Sequence, residues 1–128
     1  MKGRRNMPRN LISDVYSFQT QILNYDFPDK PTLLKGSHKS EQLVKLREEI
    51  QELEEAENII DQADALVDLI YFALGTLHQM GVDSQRVWDE VQRANMSKKK
   101  GVTKRGTEND AYKPEEWKAP DHSWLIKE

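Results

Sequence analysis

Cysteine is absent from the 128 residues, which removes disulfides and thiolate metal sites and suits a reducing compartment. A dominant charge of one sign is missing too. Charged side chains make up 32% of the chain but nearly cancel at net −3, so bulk charge selects neither nucleic acid nor membrane as a partner. There is no uninterrupted hydrophobic span either. The longest apolar stretch, 59–80, carries Asp61, Asp64 and Asp68, too many carboxylates for a bilayer centre, and reads instead as a buried helix of a soluble protein. The basic start, 1–10, is not followed by an apolar core of the kind a secretory signal needs, so a cytoplasmic location is expected. No internal repeat or low-complexity segment is evident. What is present, 37% hydrophobic residues, supports one modest core. The expectation is a single domain over 1–128, with a core at about 10–98 and a tail at 99–128.

Helical periodicity dominates. Leu11, Val15, Phe18 and Ile22 recur at spacings of four, three and four, an amphipathic pattern that Asn10 can cap. Pro28, Pro31 and Gly36 make 26–36 an irregular connection. A second helix is expected to begin near Ser40, to present Leu43, Leu46, Ile50 and Leu53 to the core, and to end near Asn58. A third, 59–80, is apolar on most sides, as an element buried among neighbours should be, and Gly81 ends it. Asp83 or Ser84 can cap a fourth, carrying Val87, Trp88 and Val91 to about Asn95. No strand is expected. The predicted class is therefore all-α, a bundle of four main helices with an irregular C-terminal tail. Tyr112, Trp117, Trp124, Leu125 and Ile126 make that tail too apolar to be freely solvated, so it should pack on the bundle or on a partner subunit.

The distribution of charge is more informative than its sum. Ten acids lie between Glu41 and Asp68 against two bases, Lys45 and Arg47, and six bases with no acid lie between Arg93 and Arg105. An acidic centre followed by a basic strip suits a metal site beside an anion site. At 100° per residue Glu49, Glu52 and Ala56 run along the edge of the Leu43/Leu46/Ile50/Leu53 stripe, at the core boundary. Glu48 lies farther round, and Glu54, Glu55 and Glu57 are explained as solvated charge. On the third helix Asp61, Asp64 and Asp68 share a face that Tyr71 and Gly75 continue. Antiparallel pairing of these helices would set Glu49 and Glu52 opposite Asp64 and Asp68. A four-carboxylate cluster of this kind is costly unless hydrogen-bonded, protonated or bound to a cation, and hard oxygens suit Mg²⁺ or Mn²⁺. The alternative on spacing alone is that the acids line a solvated groove or pair with Arg47 and lysines. His38, His78 and His122 have no zinc-site or nucleophile–base spacing and receive no chemistry.

Glu48-Glu49-Ile50-Gln51-Glu52-Leu53, an EExxEL motif, followed by Ala63-Asp64-Ala65-Leu66-Val67-Asp68-Leu69-Ile70-Tyr71, resembles the MazG-like and phosphoribosyl-ATP pyrophosphohydrolase-like superfamily of all-α nucleotide pyrophosphohydrolases. Val91-Gln92-Arg93-Ala94-Asn95-Met96-Ser97-Lys98 is similar to the segment closing the helical core in the branch labelled Cof-like phosphohydrolases. The resemblance implies a homodimer or homotetramer that hydrolyses a nucleoside triphosphate to the monophosphate and pyrophosphate with Mg²⁺, Mn²⁺ being a possible substitute. It implies that Glu49, Glu52 and Asp68 are metal ligands. It makes Glu48 a ligand of a second metal or the group that orients the attacking water. The family's second motif is usually ExxD, and its Glu position is Ala65 here; Asp64, four residues before Asp68 and on the same face, is the expected replacement ligand. Asn95, Lys98 and Arg93 are expected to hold phosphates, with Lys104 and Arg105 able to join, and Tyr71 either approaches the sugar or base or is a core tyrosine. Neither a membrane nor nucleic acid is an expected partner. The alternatives of other classes are a non-catalytic nucleotide- or metal-binding helical oligomer and a nucleic-acid-binding bundle using the basic strip.

Overall fold

The computed structural model describes residues 9–101 and 110–127. Four helices account for most of them: α1 Leu11–Gln21, α2 Gly36–Glu55, α3 Ile59–Gln79 and α4 Ser84–Met96. Chain contacts divide the molecule into two compact units, one running to Ser84 and the other beginning at Gln85.

In the first unit α1 starts where the sequence places it. The Asn10 side chain accepts from the Ser13 N–H at 2.8 Å while Ser13 Oγ accepts from the Asn10 N–H at 2.9 Å, a reciprocal cap. α2 begins a turn earlier than Ser40. Ser40 is interior and its hydroxyl bonds back to the Gly36 carbonyl, while His38 on the added turn meets Gln79 at 2.7 Å, a contact with α3 that the Ser40 boundary would forgo. The helix ends at Glu55 rather than Asn58, because Asn58 is extended (φ −139°, ψ 163°) and caps α3 through the Asp61 N–H. Gly81 stops the chain after α3 at φ +70°, with the 28–30 connection packed on it; a Cβ there would lie 2.8 Å from the Lys30 carbonyl oxygen. Thr32 N–H closes this corner on the Met80 carbonyl.

The core of this unit is thin and partly polar. Val15, Ala65, Leu74 and Val82 are buried together with Gln19, Gln42, Thr76 and His78. Gln19 Nε2 donates to the Gly75 carbonyl at 2.9 Å and its Oε1 lies 3.0 Å from His78 Nδ1, so that imidazole nitrogen carries the proton. Tyr16 sits edge-on to His78 and stacks on Phe27. The expectation that α3 is buried on most sides holds only for its second half. Ile59, Ile60, Leu66, Val67 and Ile70 are between 46% and 79% exposed, since α1 reaches only the later turns through Gln19.

The second unit corrects one expectation and bears out another. Two three-residue strands, β1 Lys99–Gly101 and β2 Asp110–Tyr112, pair antiparallel with Lys99 opposite Tyr112, where no strand was expected. Pairs this short carry little periodicity to read. The tail does pack: Trp117 Nε1 donates to the Ala94 carbonyl at 2.7 Å, the Arg86 guanidinium lies 4.1 Å over Trp124, and Asp121 N–H donates to Glu90. Among the described residues no single helix is long and apolar enough to cross a membrane.

Candidate active site

α2 and α3 run antiparallel, and their register is pinned where Thr76 Oγ1 meets Gln42 Oε1 at 2.9 Å. Counting inward from this pair brings Glu49 level with Leu69, beside Asp68, and Glu52 level with Leu66, about half a turn from Asp64. The electrostatics agree. Glu49 is pushed up to about 7, first by a hydrogen bond with Glu52, then by burial and by the charges of Glu52, Asp68 and Asp64. Asp68 is also raised, by burial first and then by Asp64 and Glu52. Four like charges thus act on one another, and the cluster holds a proton where isolated carboxylates would not.

One atom is more specific. Glu49 Oε2 is buried with no hydrogen-bond partner among the described residues, an unpaired acceptor that would normally be costly. As the side chains stand, no three acids or histidines among the described residues close to metal-ligand spacing. The donor chemistry nevertheless fits a hard cation: an orphaned carboxylate oxygen, a shared proton to displace, and three further carboxylates within electrostatic reach.

Beside the cluster a groove of about 270 Å³ is walled by Glu52, Glu55, Ala56, Asp61, Asp64 and Ala65. Ala65 is buried while Asp64 is exposed, and both lie on the groove wall. Glu55 and Asp61 were not singled out as site residues. The groove includes them, held by Gln51 Nε2 to Glu55 Oε2 at 3.1 Å and by Asn58 Nδ2 to Asp61 Oδ2 at 3.0 Å. The only sequence signal for Glu55 was its place three residues beyond Glu52, which solvated glutamates share.

The remaining expected residues are less concentrated. Glu48 is exposed. Tyr71 is half-buried and edge-on to Phe18, ring centres 5.7 Å apart. In the second unit, Arg93 is already engaged: it bonds Glu90 at 2.9 Å and the carbonyls of Lys118 and Ala119. Lys98 lies 5.5 Å over the Trp117 ring, and the Asn95 side chain is exposed. Lys104 and Arg105 lie outside the described residues.

A helical unit that gathers carboxylates from two antiparallel helices along a groove defines the MazG-like all-α class of nucleotide pyrophosphohydrolases. The model of the phosphoribosyl-ATP pyrophosphohydrolase family matches residues 19–95, more than half the chain and all of the site-bearing helices, and the protein belongs to that family. Its activity is accordingly pyrophosphohydrolysis of a nucleotide, an acid-anhydride hydrolysis. No curated protein matches the chain.

Proposed function

We propose that the protein is a Mg²⁺-dependent nucleoside triphosphate pyrophosphohydrolase, converting a ribo- or deoxynucleoside triphosphate and water to the monophosphate and pyrophosphate. The observation that carries this reading is the unpartnered, buried Glu49 oxygen within a cluster of Glu52, Asp64 and Asp68. Those four would hold the metal, with Asp64 standing in for the carboxylate that Ala65 cannot supply. The bound ion would supply charge neutralisation to the phosphate oxygens.

Glu48, on the exposed side of the same turn, is assigned to orienting or deprotonating the attacking water together with Glu49. Lys98 and Asn95 are assigned to the phosphates; Arg93 joins them only by giving up Glu90. The exposed apolar face of α3, with Leu66, Val67 and Ile70, supports a homodimer or homotetramer, because a soluble chain rarely leaves so contiguous an apolar stripe uncovered. The zero cysteine count suits a cytoplasmic protein.

Product analysis tests the assignment. Ribo- and deoxynucleoside triphosphates and phosphoribosyl-ATP are incubated with and without Mg²⁺, and pyrophosphate and monophosphate are quantified. Equal amounts of both from a triphosphate, only with metal, are expected. Release of inorganic phosphate instead, or turnover of phosphoribosyl-ATP alone, would overturn it.

A further inference from the structure

The second unit carries a basic face of its own, and the hairpin register builds it. β1 and β2 pair Lys99 with Tyr112 and Lys100 with Ala111, so the next pair outward is Lys98 with Lys113. Side chains alternate along a strand, which puts Lys98, Lys100 and Lys113 on one face and Tyr112 and Gly101 on the other. The Gly101 position agrees, because a Cβ there would meet the Tyr112 ring at 2.6 Å. After Lys113 the chain turns back at once: Trp117 N–H donates to the Pro114 carbonyl at 2.9 Å. That turn returns the indole to the lysine pair.

Lys98 Nζ lies 5.5 Å and Lys113 Nζ 4.9 Å from the centre of the Trp117 ring. The ring itself is fixed. Its Nε1 donates to the Ala94 carbonyl at 2.7 Å, and Arg93 holds the following residues through the carbonyls of Lys118 and Ala119. The indole attracts each cation, but the two ammoniums repel one another, and like charges on cross-strand neighbours are destabilising. No carboxylate among the described residues relieves this, since the ion pairs there are Arg9–Asp14 and Arg93–Glu90. Glu115 and Glu116, at the tip of the turn, are exposed. Cations gathered on a fixed ring without a counter-charge are arranged for an anion that arrives from solution.

Chemistry narrows the anion. An ammonium is a compact point charge that meets phosphate oxygens without a fixed fork. Two of them on one ring, with Lys100 next on the same face, match a ligand of several adjacent negative charges better than a lone carboxylate. We propose that Lys98 and Lys113, carried by Trp117, form a subsite for a phosphate-anhydride chain, with Lys113 a phosphate-binding residue additional to Lys98. Lys113 lies outside the basic strip 93–105 and joins it only through the hairpin register. The chain is either the triphosphate tail of the substrate or the pyrophosphate released from it. This deepens the pyrophosphohydrolase reading and rests on it for the source of the anion, but the subsite can be tested without turnover.

The test pairs binding with catalysis on the full-length protein. Calorimetry titrates pyrophosphate into metal-free wild type, Lys113→Met, Lys113→Arg and Lys39→Met, the last removing an exposed lysine of α2 as a control for net charge. Steady-state kinetics on triphosphates and titration with a single-stranded oligonucleotide accompany it. Thermal melts check folding, and Lys98→Met is the second probe if Lys113→Met does not fold. Lys113→Met is expected to weaken pyrophosphate binding at least about fivefold, and Lys113→Arg and Lys39→Met by less than about twofold. A raised KM for the triphosphate at unchanged kcat in Lys113→Met assigns the subsite to the substrate, and an unchanged KM with weaker inhibition by pyrophosphate assigns it to the product. Either upholds it. No pyrophosphate binding by wild type, or equal loss in Lys113→Met and Lys39→Met, overturns the subsite and leaves the pyrophosphohydrolase reading standing. An oligonucleotide bound more tightly than pyrophosphate, and released by Lys113→Met, overturns it too and makes the face a nucleic-acid contact. Lys113-dependent pyrophosphate binding with no turnover of any triphosphate upholds the subsite and overturns the pyrophosphohydrolase reading instead.

Discussion

Two titrating side chains, Glu49 and His78, carry the clearest consequences at the scale of single residues, and their signs are opposite. Glu49 is raised from 4.5 to about 7, so the folded state binds its proton more tightly than the unfolded chain, and metal-free stability should rise as pH falls from about 7 toward 4.5. Glu49→Gln mimics the protonated form. It is expected to melt higher than wild type at pH 8 without metal, the gap closing by pH 5, and to lose pyrophosphate release. A gap independent of pH would contradict the shared-proton account. His78 is lowered from 6.5 by burial, so the unfolded chain binds its proton more tightly, and stability is lost as pH falls below about 6.5. His78→Gln should flatten that acid limb in a melt series from pH 7 to 5; an unchanged slope would mean that another group dominates.

The same two residues mark how much of the chemistry was legible. Glu49, Glu52, Asp64 and Asp68 were readable because spacing on two helices and one assumption, antiparallel pairing, suffice to bring them together. The buried Gln19–His78–Gly75 network was not. It joins residues 56 and 59 positions apart in sequence, and nothing local distinguishes a core histidine from an exposed one.

At the scale of elements, helix starts with side-chain caps were legible and those without were not. Asn10 and Asn58 place α1 and α3 through local hydrogen bonds. α2 begins at Lys35 and Gly36 with no side-chain cap, and its first turn is fixed by His38 meeting Gln79, a tertiary contact. The corner after α3 depends on Gly81. Gly81→Ala would force a Cβ into the Lys30 and Pro28 carbonyls at a positive φ, and is expected to cost about 1–3 kcal/mol in urea unfolding. A change under about 0.5 kcal/mol would show that the 28–30 connection moves aside without cost.

The first half of α3 reads as buried in sequence and is exposed in the single chain; on the proposed association its apolar pattern is a subunit interface. Leu66→Glu and Val67→Glu, both on that exposed face, should therefore convert an oligomer to monomer in light scattering while leaving the helical circular dichroism signal intact. A wild-type protein that is monomeric at micromolar concentration would contradict the proposed association.

For the whole molecule, the all-α class followed directly from the periodicity, while the short β1–β2 pair and the two-unit division did not. Three-residue strands have too few alternations to register, and the second unit is held by tail-to-helix contacts such as Trp117 to Ala94 that span 23 residues. The proposed carboxylate site lies on α2 and α3 of the first unit, inside the matched family region, and everything proposed for catalysis depends on whether these carboxylates act as one metal site. The most direct measurement is Mg²⁺-dependent pyrophosphate release by wild type and Asp64→Asn, since Asp64 is the ligand the family pattern does not provide. If Asp64 replaces the carboxylate absent at Ala65, kcat/KM falls at least about a hundredfold, at or beyond the loss from an outer-shell partner. If Asp64→Asn retains wild-type activity and Mg²⁺ dependence, Asp64 is only a groove wall and the four-carboxylate site is wrong.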